Sequence, residues 1–342
     1  MPSNTKILLI YTGGTIGMKK DFVTGALRAF NFKKLLQRIP ELKQLDCDIE
    51  TISFDKPIDS SNMNPEKWVK LATIIEDNYD SFDGFVVLHG SDTMSYSASA
   101  LSFMLENLAK PVVFTGSQLP IGDLRTDAKE NLITAIQIAS LRKNDQSVIR
   151  EVCLYFEYKL YRGNRTTKIN AEHFNAFASP NYPCLIESGV HLKMNPELFL
   201  PLKKETKLKV HKHLDINVVI VKLFPGLSET VLSALFEIPS LKGIVLETYG
   251  SGNATTENWF LDLLKKAIKS GLYIVNVTQC SGGSVRMGQY ETSTAMKEIG
   301  VISGKDTTTE AAITKLMYLL GQNITPIDFK RIFETPLCGE IT

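Results

Sequence analysis

Short, almost continuously apolar runs recur along the chain and predict β-strands. Such runs are typical of parallel strands in α/β proteins, because those strands are buried on both faces. The predicted strands span residues 6–11, 84–89, 111–115, 151–156, 216–223, 243–247 and 272–277.

Apolar residues at helical spacing lie between these strands. The clearest predicted helix has Asn64 as its N-cap, Pro65 at its first position and an apolar face over 68–75. Two further apolar faces are predicted, one made by Leu101, Met104, Leu105 and Leu108 and one over 260–268, which ends before Gly271. Because strands and helices alternate, the predicted fold class is α/β with mainly parallel sheets.

The chain length predicts two domains, since 342 residues exceed the roughly 100–200 residues of a typical domain. The regular pattern lapses between about 192 and 214, where two prolines stand among clustered lysines. We therefore predict an N-terminal domain over 1–195, a connector over 196–214 and a C-terminal α/β domain over 215–342.

Charge and hydropathy exclude several classes of partner. Basic and acidic side chains number 38 and 37, and no long basic run suggests nucleic-acid binding. The first apolar run is about six residues long and breaks at Gly13, so it predicts a strand rather than a signal peptide. No apolar stretch approaches the roughly 20 residues that span a bilayer. We expect a cytoplasmic protein without a membrane partner.

Cysteine and histidine spacing gives no support for a metal site. The five cysteines are scattered without a CxxC pair, and we expect them to be reduced thiols. His211 and His213 are the closest pair of histidines, but they have no cysteine or carboxylate at ligand spacing. We expect neither a metal nor another cofactor.

Polar residues follow the predicted strands, at the edge where open α/β sheets bind ligands. The sequence has TGGT at 12–15, GSDT at 90–93 and GSQ at 116–118, and the segment 49–54 leads into DSSN at 59–62. Later strands end in YGSGN at 249–253 and CSGG at 280–283. These hydroxyls, amides and single carboxylates suit a small zwitterionic or amide substrate. Any one of these loops could simply be a turn, but their repetition favours a site.

Two other interpretations of these loops receive less support. A phosphate-binding loop would need GxGxxG or a following Gly-Lys-Ser/Thr, and the glycines at 13, 14 and 17 match neither pattern. His89 ends a buried strand, where a hydrogen-bonded core histidine is more common than a catalytic base. Asp92 could cap the helix that begins near Thr93, a role that is compatible with a second one in a site.

The motifs together resemble the bacterial type I, cytoplasmic, L-asparaginases. They are IYTGGTIGM, IDSSNM, LHGSDTMSYSASALSFMLENL, TGSQLP, LYRGNRTTK, AFASPN, YGSGNA and VTQCSGG, in the family's order and over almost the whole chain. The resemblance implies a flavodoxin-like N-terminal catalytic domain and a smaller Rossmann-like C-terminal domain. It also implies hydrolysis of L-asparagine to L-aspartate and ammonia by a homodimer or homotetramer.

The resemblance assigns the catalytic roles residue by residue. The second threonine of TGGT, Thr15, falls on the family's nucleophile, which forms an acyl-enzyme. Ser91, Asp92 and Lys168 fall on a second catalytic cluster. A threonine hydroxyl is a poor nucleophile at its free pKa, and a desolvated Lys168 beside Ser91 and Asp92 could polarise it. Thr12 would be structural.

The resemblance also assigns substrate contacts. Asp59, Ser60 and Ser61 fall on the family's substrate-clamping segment, and Ser91 and Asp92 would contact the substrate as well. Asp92 would pair with its α-ammonium, and Ser60 with its α-carboxylate. Asn253 is the type of residue that completes the site of a neighbouring subunit.

Three positions depart from the family's pattern. Ala26 stands where a tyrosine commonly helps to activate the nucleophile, so the resemblance implies no activation by a tyrosine at that position. Ser91 replaces a threonine and keeps only the hydroxyl. Glu247 stands where some relatives have an arginine for activation by asparagine. A catalytically weakened sensor protein and an amidotransferase-type ammonia donor are the two alternative functions.

Overall fold

The structure, a computed structural model, describes residues 4–20, 27–29, 39–201, 207–289 and 291–342. The chain forms two compact units, Met1–Lys212 and His213–Thr342. The division falls within the predicted connector, of which residues 202–206 lie outside the described residues. Ala26, at the position of the family's tyrosine, also lies outside the described residues.

In the first unit, the described residues form sixteen strands and three α-helices, numbered in chain order. The strands are β1 (Thr5–Gly13), β2 (Met18–Lys20), β3 (Leu27–Ala29), β4 (Cys47–Ile58), β5 (Gly84–Leu88), β6 (Leu105–Glu106), β7 (Val112–Thr115), β8 (Arg142–Lys143), β9 (Gln146–Ser147), β10 (Val152–Phe156), β11 (Lys159–Arg162), β12 (Thr167–Lys168), β13 (Phe177–Ala178), β14 (Ile186–Ser188), β15 (Leu192–Met194) and β16 (Lys209–Val210). The helices are α1 (Pro65–Asp77), α2 (Met94–Met104) and α3 (Ala128–Ala139).

The main sheet of this unit has the strand order β15-β14-β11-β10-β7-β5-β1-β4. Strands β4, β1, β5, β7 and β10 are parallel, and in sequence order they make the 2-1-3-4-5 arrangement of flavodoxin-like folds. Strands β11, β14 and β15 extend the sheet in antiparallel orientation. The predicted parallel α/β class is confirmed, and the sheet carries an additional antiparallel edge.

Burial on both faces explains why the central strands are so apolar. Ile7, Leu9 and Tyr11 of β1 pack in one cluster with Leu132 and Ile136 of α3, and all five side chains are almost completely inaccessible to solvent. The intervening β1 residues are equally buried on the opposite face. A strand with two buried faces cannot alternate apolar and polar residues, and this gives the continuous runs.

Helix α1 begins as predicted, whereas the predicted extension of α2 is wrong. The Asn64 side chain accepts a hydrogen bond from the backbone N–H of Lys67 at 3.1 Å, and Pro65 is the first helical residue. Helix α2 ends at Met104, because Leu105 and Glu106 instead pair with β16. Leu108 therefore does not belong to the helical face.

The second unit is a smaller parallel α/β layer structure. Its strands are β17 (Val218–Lys222), β18 (Gly243–Thr248), β19 (Tyr273–Thr278) and β20 (Ile302–Ser303), and its helices are α4 (Glu229–Phe236), α5 (Asn258–Lys269), α6 (Glu291–Glu298), α7 (Thr309–Leu320) and α8 (Pro326–Phe333). The four strands pair in parallel in chain order. As predicted, α5 is followed by Gly271, whose φ of 98° only glycine adopts readily.

None of the helices formed by the described residues combines the length and the apolarity that crossing a membrane requires.

Candidate active site

The candidate site lies where the strand order of the first unit reverses. From β1 the chain crosses to β4 on one side of the sheet, and β5 pairs with β1 on the other side. In open α/β sheets, ligands bind beyond the carboxyl ends of the strands at such a switch point. The tips of β1 and β5 carry the TGGT and GSDT motifs.

Two glycines allow these tips to touch. Gly13 and Gly14 have φ angles of 140° and 88°, in the range that favours glycine. A Cβ atom on Gly14 would lie 2.5 Å from the backbone nitrogen of Gly90, and one on Gly13 would lie 2.0 Å from the carbonyl oxygen of Ile58. The TGGT turn thus packs without side chains against the ends of β5 and β4.

This turn presents the hydroxyl predicted as the nucleophile. Thr15 begins the short 3₁₀ turn Thr15–Gly17 and is half-buried. Thr12, at the end of β1, is fully buried and donates its hydroxyl to the carbonyl oxygen of Leu88 at 2.9 Å. Thr12 therefore ties β1 to β5, while Thr15 stands at the open tip.

Lys168, Ser91 and Asp92 form one hydrogen-bonded cluster. The Lys168 Nζ donates to Ser91 Oγ at 2.9 Å and to Asp92 Oδ1 at 2.6 Å. The Lys168 side chain is 17% exposed and that of Asp92 is 63% exposed. The ammonium group is therefore largely withdrawn from solvent, while part of the carboxylate remains open.

The interpretation of Asp92 as a helix cap is wrong. Helix α2 begins at Met94 with Thr93 as its N-cap residue, and no side chain caps it. The Asp92 carboxylate instead contacts Lys168.

The DSSN segment lies against the tip of β5, at Gly90. The carboxylate of Asp59 caps the 3₁₀ turn Ser60–Asn62 by accepting from the backbone N–H of Ser61 at 3.0 Å. Ser60 is buried, and its hydroxyl occupies the space that a Cβ atom on Gly90 would enter, at 2.5 Å. Its carbonyl oxygen accepts from Thr93 Oγ1 at 2.8 Å. Ser60 is therefore close to the tip of β5, whereas Ser61 is exposed.

His89 is a core residue, as the sequence predicted. It is 1% exposed, its Nδ1 lies 2.7 Å from the carbonyl oxygen of Gly90, and its Nε2 lies 2.9 Å from Ser97 Oγ. The same Ser97 hydroxyl accepts from Trp68 Nε1 at 2.8 Å. Burial lowers the pKa of His89 from 6.5 to about 4, so its imidazole is neutral at pH 7. Its Nδ1 contact holds the carbonyl group of Gly90.

Gln118 and Asp127 contribute contacts that the sequence did not reveal. Ser91 Oγ donates to Gln118 Oε1 at 3.1 Å. The Asp127 carboxylate accepts the backbone N–H groups of Gln118 and Leu119 at 2.9 Å and 3.1 Å. Burial raises the pKa of Asp127. The GSQ motif places Gln118 at a strand tip, but nothing in the sequence indicates its contact with Ser91.

Two predicted positions lie in the second unit. Asn253 follows β18 and forms an isolated bridge with Tyr249, in which each backbone N–H donates to the other's carbonyl oxygen at 2.8 Å. The Glu247 carboxylate accepts from Thr309 Oγ1 at 2.6 Å. Among the described residues, no group of three or more His, Cys, Asp or Glu side chains could hold a metal ion.

The two-unit fold and the lysine, hydroxyl and carboxylate cluster at a sheet switch point define an α/β enzyme with a small-molecule site. The chain belongs to the asparaginase family. A family model described as "Asparaginase, N-terminal" matches residues 6–199, and one described as "Glutaminase/Asparaginase C-terminal domain" matches residues 217–333.

Individual relatives match over nearly the whole chain. L-asparaginase 1 of Escherichia coli K12 is 43% identical over 337 residues, which are 98% of each chain. The structure of L-asparaginase I from Vibrio cholerae is 41% identical with a TM-score of 0.90, over 99% of this chain and all of the other. That of a probable cytoplasmic L-asparaginase from Campylobacter jejuni is 26% identical with a TM-score of 0.81, over 97% of this chain and all of the other. The family and fold implied by the motifs are confirmed, and neither alternative function is favoured.

Proposed function

We propose that the protein hydrolyses L-asparagine to L-aspartate and ammonia at the tips of β1 and β5. The observation that carries the proposal is the contact of Lys168 with both Ser91 and Asp92, on the strand tip that the Thr15 turn touches. The cluster supplies a half-buried hydroxyl, a withdrawn ammonium group and an accessible carboxylate.

The reaction proceeds through an ester of Thr15. Its Oγ attacks the side-chain amide carbon of the substrate, and the hydroxyl proton passes to the departing nitrogen, with the cluster of Lys168, Ser91 and Asp92 polarising the site. The carbon–nitrogen bond then breaks and ammonia leaves. Water hydrolyses the acyl-enzyme, which releases aspartate and restores the threonine hydroxyl. Backbone N–H groups of the glycine-rich turns stabilise the oxyanion.

The charges of the site match a zwitterionic substrate. Asp92 Oδ1 accepts from Lys168, and the exposed part of this carboxylate is available to the substrate's α-ammonium. The Ser60 hydroxyl beside Gly90 is suited to the α-carboxylate, and Asp59 shapes that turn through its contact with Ser61.

The nucleophile is tested by ammonia release from L-asparagine with Thr15→Ala and Thr15→Ser. Loss of a nucleophile lowers kcat by roughly 10³-fold or more, so we expect Thr15→Ala to be nearly inactive. Thr15→Ser keeps a hydroxyl and should retain measurable turnover. Wild-type turnover by Thr15→Ala would exclude the nucleophile assignment.

The setting of the enzyme is part of the same proposal. A cytoplasmic location is supported by the likeness to the Campylobacter jejuni protein, whose description carries that word. We expect a homodimer or homotetramer in which Asn253 reaches a neighbour's site. Sedimentation of the active enzyme tests the assembly, and a fully active monomer would contradict it.

A further inference from the structure

Gln118 links three parts of the first unit through one side chain. Its Oε1 accepts from Ser91 Oγ at 3.1 Å, at the tip of β5. Its Nε2 donates to the carbonyl oxygens of Ala171 and His173 at 3.2 Å and 3.1 Å. Gln118 itself stands at the tip of β7. The two carbonyls belong to the segment that follows Lys168.

These partners determine which way the amide faces. A backbone carbonyl oxygen only accepts hydrogen bonds, so the NH₂ group of Gln118 must face Ala171 and His173. The reversed amide would set its oxygen against two carbonyl oxygens. Ser91 therefore meets an oxygen, which can only accept.

The fixed amide in turn orients the Ser91 hydroxyl. A hydroxyl has one hydrogen and two lone pairs, and a protonated lysine has donors only. Ser91 gives its hydrogen to Gln118 and directs a lone pair to Lys168, whose Nζ lies 2.9 Å away. Without Gln118 the hydroxyl could rotate and lose this alignment.

The backbone of Gln118 is held independently of its side chain. The carboxylate of Asp127, next to the first residue of α3, accepts the N–H of Gln118 at 2.9 Å. Asn131 Nδ2 also donates to that carboxylate, at 3.2 Å, and this buried group donates to the carbonyl oxygen of Gly116 at 3.0 Å as well. The amide of Gln118 thus projects from a fixed loop.

We propose that Gln118 is a positioning residue for the reaction proposed above, acting through the Ser91 hydroxyl. It sets the direction of the Ser91 hydrogen, so that the Ser91 hydroxyl presents a lone pair to Lys168 in one geometry. Its contacts with Ala171 and His173 fix its own amide. It touches neither Thr15 nor the amide being cleaved. The inference rests on the proposed function of this site.

A double-mutant cycle tests whether Gln118 acts through Ser91. Gln118→Met removes both hydrogen-bonding groups at similar size, and loss of such a bond corresponds to about 10-fold to 100-fold in rate. We expect this decrease in kcat, with KM changed less than about 3-fold, because the substrate is not contacted. In the Ser91→Ala background, the same substitution should change kcat by less than about 3-fold.

Two further variants separate positioning from general disturbance. Gln118→Glu keeps an oxygen acceptor for Ser91 but sets its second oxygen against the carbonyl oxygens of Ala171 and His173, so it should lower kcat as well. Gln137→Met, at an exposed position of α3, should match the wild type. An equal loss from Gln118→Met in both backgrounds, or a wild-type kcat for Gln118→Glu, would overturn the inference. Thr15→Ala remains inactive in that case, so this failure is distinguishable from failure of the proposed function.

Discussion

Acid should destabilise the first unit through one residue, His89. The backbone carbonyl of Gly90 can only accept, so His89 Nδ1 carries the hydrogen at that contact. Its Nε2 must then accept from Ser97, whose oxygen already accepts from Trp68. A proton on Nε2 would leave the Ser97 hydrogen without this acceptor, in a site closed to water. The network therefore fits only the neutral imidazole.

The size of the effect follows from the two pKa values. The pKa of His89 is about 4 in the folded protein and 6.5 without the fold. Its folded pKa is depressed, so its contribution to stability is complete above pH 6.5 and is lost as the pH falls towards 4. At about 1.4 kcal/mol for each pH unit, the loss is about 2 kcal/mol at pH 5 and about 3 kcal/mol below pH 4.

Tryptophan fluorescence can isolate this effect. The chain contains 2 tryptophans, and Trp68 lies in α1 of the first unit whereas Trp259 lies in α5 of the second. In a Trp259→Phe background, urea unfolding followed by Trp68 reports on the first unit. We would compare the free energy of unfolding at pH 7.5 and pH 5.0 between the protein with His89 and the His89→Asn variant. Asparagine keeps a donor for Gly90 but does not titrate.

The comparison rests on the change with pH rather than on absolute stability. Between pH 7.5 and pH 5.0, the free energy of unfolding of the protein that retains His89 should fall by about 2 kcal/mol more than that of His89→Asn. His191→Asn, at an exposed histidine, should leave the pH dependence as in the His89 protein. Equal pH dependence in the His89 protein and His89→Asn would refute the reasoning.

Two further substitutions test the close packing of the glycine turn at the site and a buried ion pair in the second unit. Gly14→Ala should abolish most ammonia release and lower the unfolding midpoint, because its Cβ would lie 2.5 Å from the Gly90 nitrogen at a φ of 88°; a fully active variant would contradict this. Lys315→Met should cost about 3–5 kcal/mol of unfolding free energy, since it leaves the completely buried carboxylate of Glu340 without its cation. Unfolding followed by fluorescence measures this loss. Lys265→Met, at an exposed site, is the control and should change little.

The parallel core could be predicted because burial on two faces leaves a local signal. The residues of β5 are all buried, and so are those of β7 and β10, so each strand appears as an apolar run in the sequence. The antiparallel strands β14 and β15 have only three residues each; one residue of β14 is buried and none of β15 is. Neither periodicity nor length distinguishes such strands from loops.

The error at the end of α2 has a non-local cause. Leu105 and Leu108 continue the helical spacing, but Leu105 and Glu106 pair with Val210 and Lys209. A partner about a hundred residues along the chain leaves no trace in a short window of sequence. Propensity and spacing are weak priors that such tertiary pairing overrides.

The residues of the candidate site also differ in how far the sequence could predict them. Thr15, Ser91 and Asp92 stand at the ends of apolar strands, so the topology of a parallel sheet brings their motifs to one edge. Lys168 lies in the two-residue strand β12, 77 positions from Ser91, and only the family resemblance identified it. Gln118 belongs to a motif at a predicted strand tip, but the carbonyl groups that orient its amide lie 53 and 55 positions away along the chain. A hydroxyl's location can thus be predicted from strand order, whereas the direction of its hydrogen depends on acceptors that only the folded chain supplies.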